Sequence, residues 1–325
     1  MELWDKAERL WTRVKNWKTV RGWHIWKLKL VDARLYFVSM FVGLLTGLVA
    51  VPYHYLLYYL FHLRSVFFAS HPAWYWHIPL FLFSWGILVF VMWLGGGIPQ
   101  TRGVINGRIT YRHPFIEMVS KFVGGILSFS AGLSLGREGP SVQIGSYVGS
   151  LVSRWTHILK GEQKQLLAAG AGAGLAAAFA APLASSLIVI ESIERFDAPK
   201  TAITTLLAGV VAGAVASMVF PVNPYHLIEV TEPVFAFFVQ VKYFLILAVI
   251  FSVCGKFYSS TMNAFRHVYA KVNSPAYVKM LYLVLVAYII SLMQVNLTGG
   301  GEQFLLAQAQ NGSTQIMWVT AVMLL

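Results

Sequence analysis

The sequence predicts an all-α, polytopic membrane protein built on a repeated plan, with broken and tilted helices. Three observations predict it. Of 325 residues, 57% are hydrophobic and only 12% charged, a balance outside the range of soluble or disordered chains. The apolar runs are long. Leu35 to Leu63 and Val234 to His267 each exceed the roughly twenty residues an upright helix needs to cross a bilayer, so both are expected to tilt. Finally, the same parts recur in order: a long span, a second span, a triple glycine, a short piece and a further span. Such internal repeats are common in transporters, whose binding sites lie where broken helices meet.

Residues 1–33 read as an amphipathic helix on the cytoplasmic face. Trp4, Trp11, Trp17 and Trp23 alternate with Lys6, Arg9, Arg13 and Lys18, and aromatic and basic residues together suit a lipid surface. Leu35 to Leu63 follows, with Pro52 and the Tyr/His cluster behind it expected at the far interface. Pro79 to Leu94 is the next span, and it runs into the break Gly95-Gly96-Gly97-Ile98-Pro99. Thr101 to His113 is polar and basic, a short helix plus a connector. Pro114 to Leu135 is apolar apart from Glu117 and Lys121. Lys121 either snorkels to the interface or adds positive potential near an anion path.

The central motif comes next: Gly136-Arg137-Glu138-Gly139-Pro140, with Ser141 to Gly145 behind it. A charged side chain at membrane depth costs about 2.5–3.5 kcal/mol on insertion scales, and such residues face a protein interior or an aqueous path. Pro140 suits the first turn of a helix, where its missing N–H is no loss. Glycine admits close approach to the backbone. A helix starting here aims free N–H groups and its positive dipole end at whatever lies in front. That is an anion site, and Glu138 is an anion tethered at its mouth, able to occupy it and to leave when protonated or displaced. A surface turn between helices is the plainer reading of the five residues. The apolar flanks favour a buried helix break, because lipid does not tolerate exposed irregular backbone.

Gly139 to Trp155 is the helix behind the motif, with Gly145 and Gly149 forming a G-x-x-x-G pair suited to close helix contact. A polar connector through Arg154 and His157 leads to Leu166–Ile190, a small-residue segment that Pro182 splits in two. Glu191-Ser192-Ile193-Glu194 opens a charged cap. Thr201 to Phe220 is another small-residue span, and Pro221 to Pro233 is the expected midpoint loop. Val234 to His267 and Ser274 to Leu297 precede Gly299-Gly300-Gly301 and a last apolar run from Ile316. The domains read as 1–33 (cytoplasmic helix), 34–222 (first transmembrane repeat) and 234–325 (partial second repeat). The spacing from Gly95 to Gly136, transferred to Gly299, points past Leu325, so the counterpart of the central motif is expected beyond this sequence.

The net charge of +12 sits largely before Leu35 and in short connectors. Positive-inside topology and lipid head groups account for it, and nucleic acid is not an expected partner. One cysteine, Cys254, leaves no disulfide framework or cysteine-rich metal site. No metal or cofactor is expected. An intramembrane enzyme acting on lipid, with Glu138 and Arg137 as catalytic charges, is the alternative from another class. No His-Glu-x-x-His, nucleophile elbow or metal cluster accompanies them.

Residues 136–140 match the G-R-E-G-P motif of the CLC family of chloride channels and proton-coupled chloride transporters. Gly95 to Pro99 resembles that family's G-S-G-I-P motif, and the stretch Gly170 to Pro182, with Gly174-Leu175-Ala176-Ala177-Ala178-Phe179 inside it, is also similar. The resemblance extends from about Arg34 onward. It implies a CLC-like inverted-repeat architecture, here with its second half truncated, in a homodimer with a separate pore in each subunit. It implies that Glu138 is the external gating glutamate and that backbone N–H groups at opposed helix ends hold the anion. On this reading Gly96, Gly97, Ile98, Arg137, Glu138 and Gly139 form the anion site, with amides to Ser141 contributing. The transported ligand is chloride foremost, or another small anion.

Two departures bear on mechanism. Gly96 stands where chloride-selective members have serine, so the side-chain hydroxyl donor is missing and a fluoride or nitrate preference becomes the alternative. Ser192 stands where proton-coupled members have an internal glutamate, with Glu191 and Glu194 nearby as candidates for a proton pathway. The second-half motif and the C-terminal tyrosine of the family's site lie outside the sequence. An integral protein of the cytoplasmic membrane with a cytoplasmic N-terminus is expected.

Overall fold

Helices are the only long regular elements among the described residues. The structure, a computed structural model, describes residues 2–71, 74–93, 97–130, 133, 136–191, 199–219 and 234–293. Ten α-helices occur there: α1 (Glu2–Ser70), α2 (His77–Trp93), α3 (Gly97–Ile105), α4 (Pro114–Ser130), α5 (Glu138–Trp155), α6 (Lys160–Phe179), α7 (Pro182–Val189), α8 (Pro199–Val219), α9 (Val234–Lys271) and α10 (Ala276–Met293). Three stretches among the described residues are long and apolar enough to cross a membrane: Ala33–Phe67, Pro199–Val219 and Leu245–Lys271.

Most expected breaks fall where glycine and proline stand. α2 ends at Trp93 and α3 opens at Gly97, whose φ of +51° is the left-handed region that glycine adopts without strain. α6 ends at Ala180 in the left-handed conformation, and α7 begins with Pro182 in its first turn, where the missing N–H costs nothing. α1 departs from expectation. It runs unbroken from Glu2 through residue 33 and past Pro52 to Ser70. No glycine or proline lies between Trp23 and Ala33, so nothing local separates the amphipathic segment from the span behind it. The cluster after Pro52 is not wholly interfacial either. Tyr53 and His54 are buried, while Tyr55, Tyr58 and Tyr59 are exposed.

The chain divides into two units, interleaved in sequence. One comprises residues 1–52, 96–119 and 138–219; the other comprises 53–95, 120–137 and 220–325. In the first, α6 is the hub, packing on α5, α7 and α8. Its Ala/Gly run is buried, because small residues let backbones approach. A β-carbon on Gly145 would collide with the carbonyl oxygen of Gly170, one on Gly170 with that of Gly145, and one on Gly149 with Leu166 O. The G-x-x-x-G pair is therefore a backbone-to-backbone crossing, a geometry that also brings Cα–H groups onto carbonyls. α8 meets α1 in the same way, with Gly43 against the backbone of Ala208.

In the second unit, the later part of α1 packs on α4. Tyr53 stacks at a tilt on Phe122, with ring centroids 5.4 Å apart, and Phe61 on Phe129 at 5.5 Å. Separately, Trp85 of α2 donates to Tyr277 O of α10 at 2.9 Å, and Phe81 meets Tyr288.

Candidate functional site

The central motif lies at a helix start. Glu138 is the first residue of α5, with Gly139 and Pro140 in its first turn. The opening N–H groups of a helix have no partner within it, and Pro140 contributes none. Ser141 is fully buried, and Arg137, Glu138, Gly139 and Pro140 are half-buried. The Glu138 carboxylate makes no hydrogen bond or ion pair among the described residues. A β-carbon on Gly139 would meet no atom within 4 Å. Gly139 therefore differs from Gly145: among the described residues, packing does not require it.

The second expected break supplies a neighbouring helix start. α3 opens at Gly97, which is half-buried, and Ile98 and Pro99 are exposed. Gly96 lies outside the described residues. α3 packs on α5, and two polar links fix the contact. Gln143 Nε2, on a side chain only 1% exposed, donates to Gln100 Oε1 at 3.1 Å. Tyr111, in the connector after α3, is buried, and its Oη lies 3.3 Å from both Thr101 Oγ1 of α3 and Ser146 Oγ of α5. With one proton to give, the phenol donates to one hydroxyl and accepts from the other. Burial pushes the Tyr111 hydroxyl above its ordinary range, against the opposing effect of its hydrogen bonds to Ser146 and Thr101, so it stays protonated near neutral pH.

The ends of these helices are tied as well. Arg154 Nη2, in the last turn of α5, donates to Tyr111 O at 2.7 Å. Arg34 Nη2 donates to Thr156 O, just past that helix end, at 2.5 Å, and cations suit a helix C-terminus. At the start of α4, Glu117 Oε1 accepts from the N–H of His113 at 3.2 Å, which satisfies a backbone donor ahead of the helix.

The structure thus packs α3 on α5 through Gln100, Thr101 and Tyr111 on one side and Gln143 and Ser146 on the other; Gly97 opens the first helix and Glu138 the second. It gives no such grouping for the proton-pathway residues. Glu191 is exposed, and Ser192 and Glu194 lie outside the described residues. Lys121 is buried and engaged by a partner. Sequence reasoning missed the Gln100–Gln143 and Tyr111 links. The one local signal was a glutamine inside the apolar run behind the motif. It also missed His54 and Arg64, both buried in the same unit as Lys121.

Fold and site define an all-helical integral membrane protein whose helices break at glycine and proline to present backbone donors. The chain belongs to the CLC family: the model described as voltage gated chloride channel matches residues 80–325. It is similar to the H(+)/Cl(-) exchange transporter ClcA of Vibrio cholerae serotype O1, at 29% identity over 252 residues, covering 72% of this chain and 53% of that protein. Among solved structures it is similar to a slow cyanobacterial Cl-/H+ antiporter (28% identity, TM-score 0.72, 90% of this chain and 70% of that one). It is also similar to a CLC-type fluoride/proton antiporter (20% identity, TM-score 0.70, 90% and 73%), a likeness that bears on fold alone. The chain spans about half the length of the curated relative named here. CLC proteins are a transport family and not enzymes, so the lipid-acting alternative falls.

Proposed function

We propose that this protein moves small anions across a membrane, chloride foremost, with Glu138 as a gating carboxylate. The observation that supports the reading is the packing of α3 on α5, tied by the Gln143–Gln100 hydrogen bond within two turns of each helix start. Desolvating an ion into low dielectric costs several kcal/mol even after relaxation, and one helix N-terminus returns only about 0.3–2 kcal/mol. A pathway therefore needs donors from more than one element. Backbone amides of residues 96–98 and 139–141 supply the attraction, with Arg137 next to Glu138 in sequence. Glu138 competes with the anion and vacates its position when protonated.

The family suggests a homodimer in the cytoplasmic membrane with a cytoplasmic N-terminus. Proton coupling is weak or takes an unusual route through Glu191 or Glu194, because Ser192 does not titrate near neutral pH. Gly96 favours a second reading, fluoride or nitrate preference, since glycine offers no hydroxyl to a dehydrated chloride. The test is flux of chloride, nitrate and fluoride through the full-length protein in liposomes, with proton movement recorded alongside. Chloride-driven flux well above protein-free vesicles is the expected result. Flux of none of the three anions overturns the reading.

A further inference from the structure

We infer that Tyr111 is a positioning residue: it fixes the starts of α3 and α5 against each other and thereby sets how sharply the pathway discriminates among small anions. The inference rests on the transport reading above. Three contacts hold Tyr111 in place. Its hydroxyl is shared between Thr101 and Ser146, both fully buried. Its carbonyl takes the Arg154 guanidinium at 2.7 Å. Its ring meets that of Tyr147 of α5 at 4.4 Å. One connector residue is thus bonded to α3 and, at two levels, to α5.

The placement matters because Thr101 follows Gln100 directly, and Ser146 lies one turn behind Gln143. The hydroxyl bridge sits immediately behind the amide bridge, and both sit behind the two helix starts. Backbone donors cannot adjust individually as long side chains do. They move only when the helix moves. A pair of helix starts selects by size only while the spacing between them is held, and a pair free to shift accommodates a larger anion. With no hydroxyl at Gly96, that spacing carries more of the discrimination than it would beside a serine. The described partners of Tyr111 are Thr101, Ser146, Arg154 and Tyr147, none of them in the proposed anion site, so its influence is indirect.

The experiment uses the full-length protein in liposomes and compares wild type, Tyr111→Phe, Ser146→Ala and the double variant. Phenylalanine keeps the ring packing and removes only the bridge. Tyr111→Phe is expected to shift the chloride-to-nitrate permeability ratio toward one by about two- to tenfold, the range spanned by one net hydrogen bond. Ser146→Ala should shift it in the same direction but less, and the double variant should go no further than Tyr111→Phe, because the phenylalanine already removes the bond that Ser146→Ala removes. Hydrogen exchange should quicken at residues 97–101 and 138–143 in Tyr111→Phe while α8 keeps its protection.

An unchanged ratio in Tyr111→Phe, effects that multiply in the double variant, or exchange that rises equally in α8 overturns the inference. A wild-type protein that carries no anion removes the transport reading and the selectivity role with it. A selective wild type beside an indifferent Tyr111→Phe removes the Tyr111 role alone.

Discussion

Replacing Gly145 by alanine places a β-carbon against the carbonyl oxygen and carbon of Gly170 and 3.1 Å from the amide nitrogen of Gly174. All three are backbone atoms of α6, so no rotamer change relieves the contact and the helices must separate. Overpacking costs about 1–3 kcal/mol, and the absence of a movable side chain puts this case near the upper end. Alanine returns about 1 kcal/mol of helix propensity over glycine. The net loss is about 2 kcal/mol, and since the shift per kcal/mol falls with chain length from roughly 2–4 °C at 150–250 residues, Tm should drop by about 2–4 °C. Gly139→Ala is the internal comparison, since its β-carbon meets nothing within 4 Å, and its Tm should match wild type or rise slightly. The assay is thermal unfolding of the purified full-length protein in detergent, followed by tryptophan fluorescence and by recovery on size exclusion. A Gly145→Ala variant that melts with wild type, or a Gly139→Ala variant that falls as far, would refute the argument that α5 and α6 cross through their backbones.

Three further outcomes follow from the proposed pathway. Anion flux should rise as pH falls, because protonation removes the competing charge of Glu138; Glu138→Gln should flatten that dependence, and an unaltered pH profile would end the gating role. Gly96→Ser should change the chloride-to-nitrate ratio in flux measurements by restoring a hydroxyl donor; equal ratios would place Gly96 off the path. Any proton movement that accompanies anion flux should be lost when Glu191 and Glu194 are both replaced by glutamine; antiport at a fixed ratio in that variant would show that protons travel elsewhere.

Sequence alone determined several of the places where helices break and approach each other. α3 begins at Gly97 and not at Thr101, whereas the start of α5 beside Glu138, the break before α3, the split at Pro182 and the tight face at Gly145 and Gly149 were legible. Each follows from local chemistry: φ freedom of glycine, the missing N–H of proline, and the spacing that puts residues four apart on one helix face. Tertiary structure decided the rest. Gln100 and Gln143 stand 43 positions apart, and Tyr111 and Ser146 stand 35 apart; no periodicity links them, because they meet only through the angle and depth at which α3 crosses α5. The burial of Lys121 was likewise undecidable from its neighbours, since a lysine on an apolar helix face snorkels or pairs according to what packs over it. Which helix lies beside α5 was decided by the packing of α3 on it, because a helix carries its backbone N–H groups wherever its side chains are held.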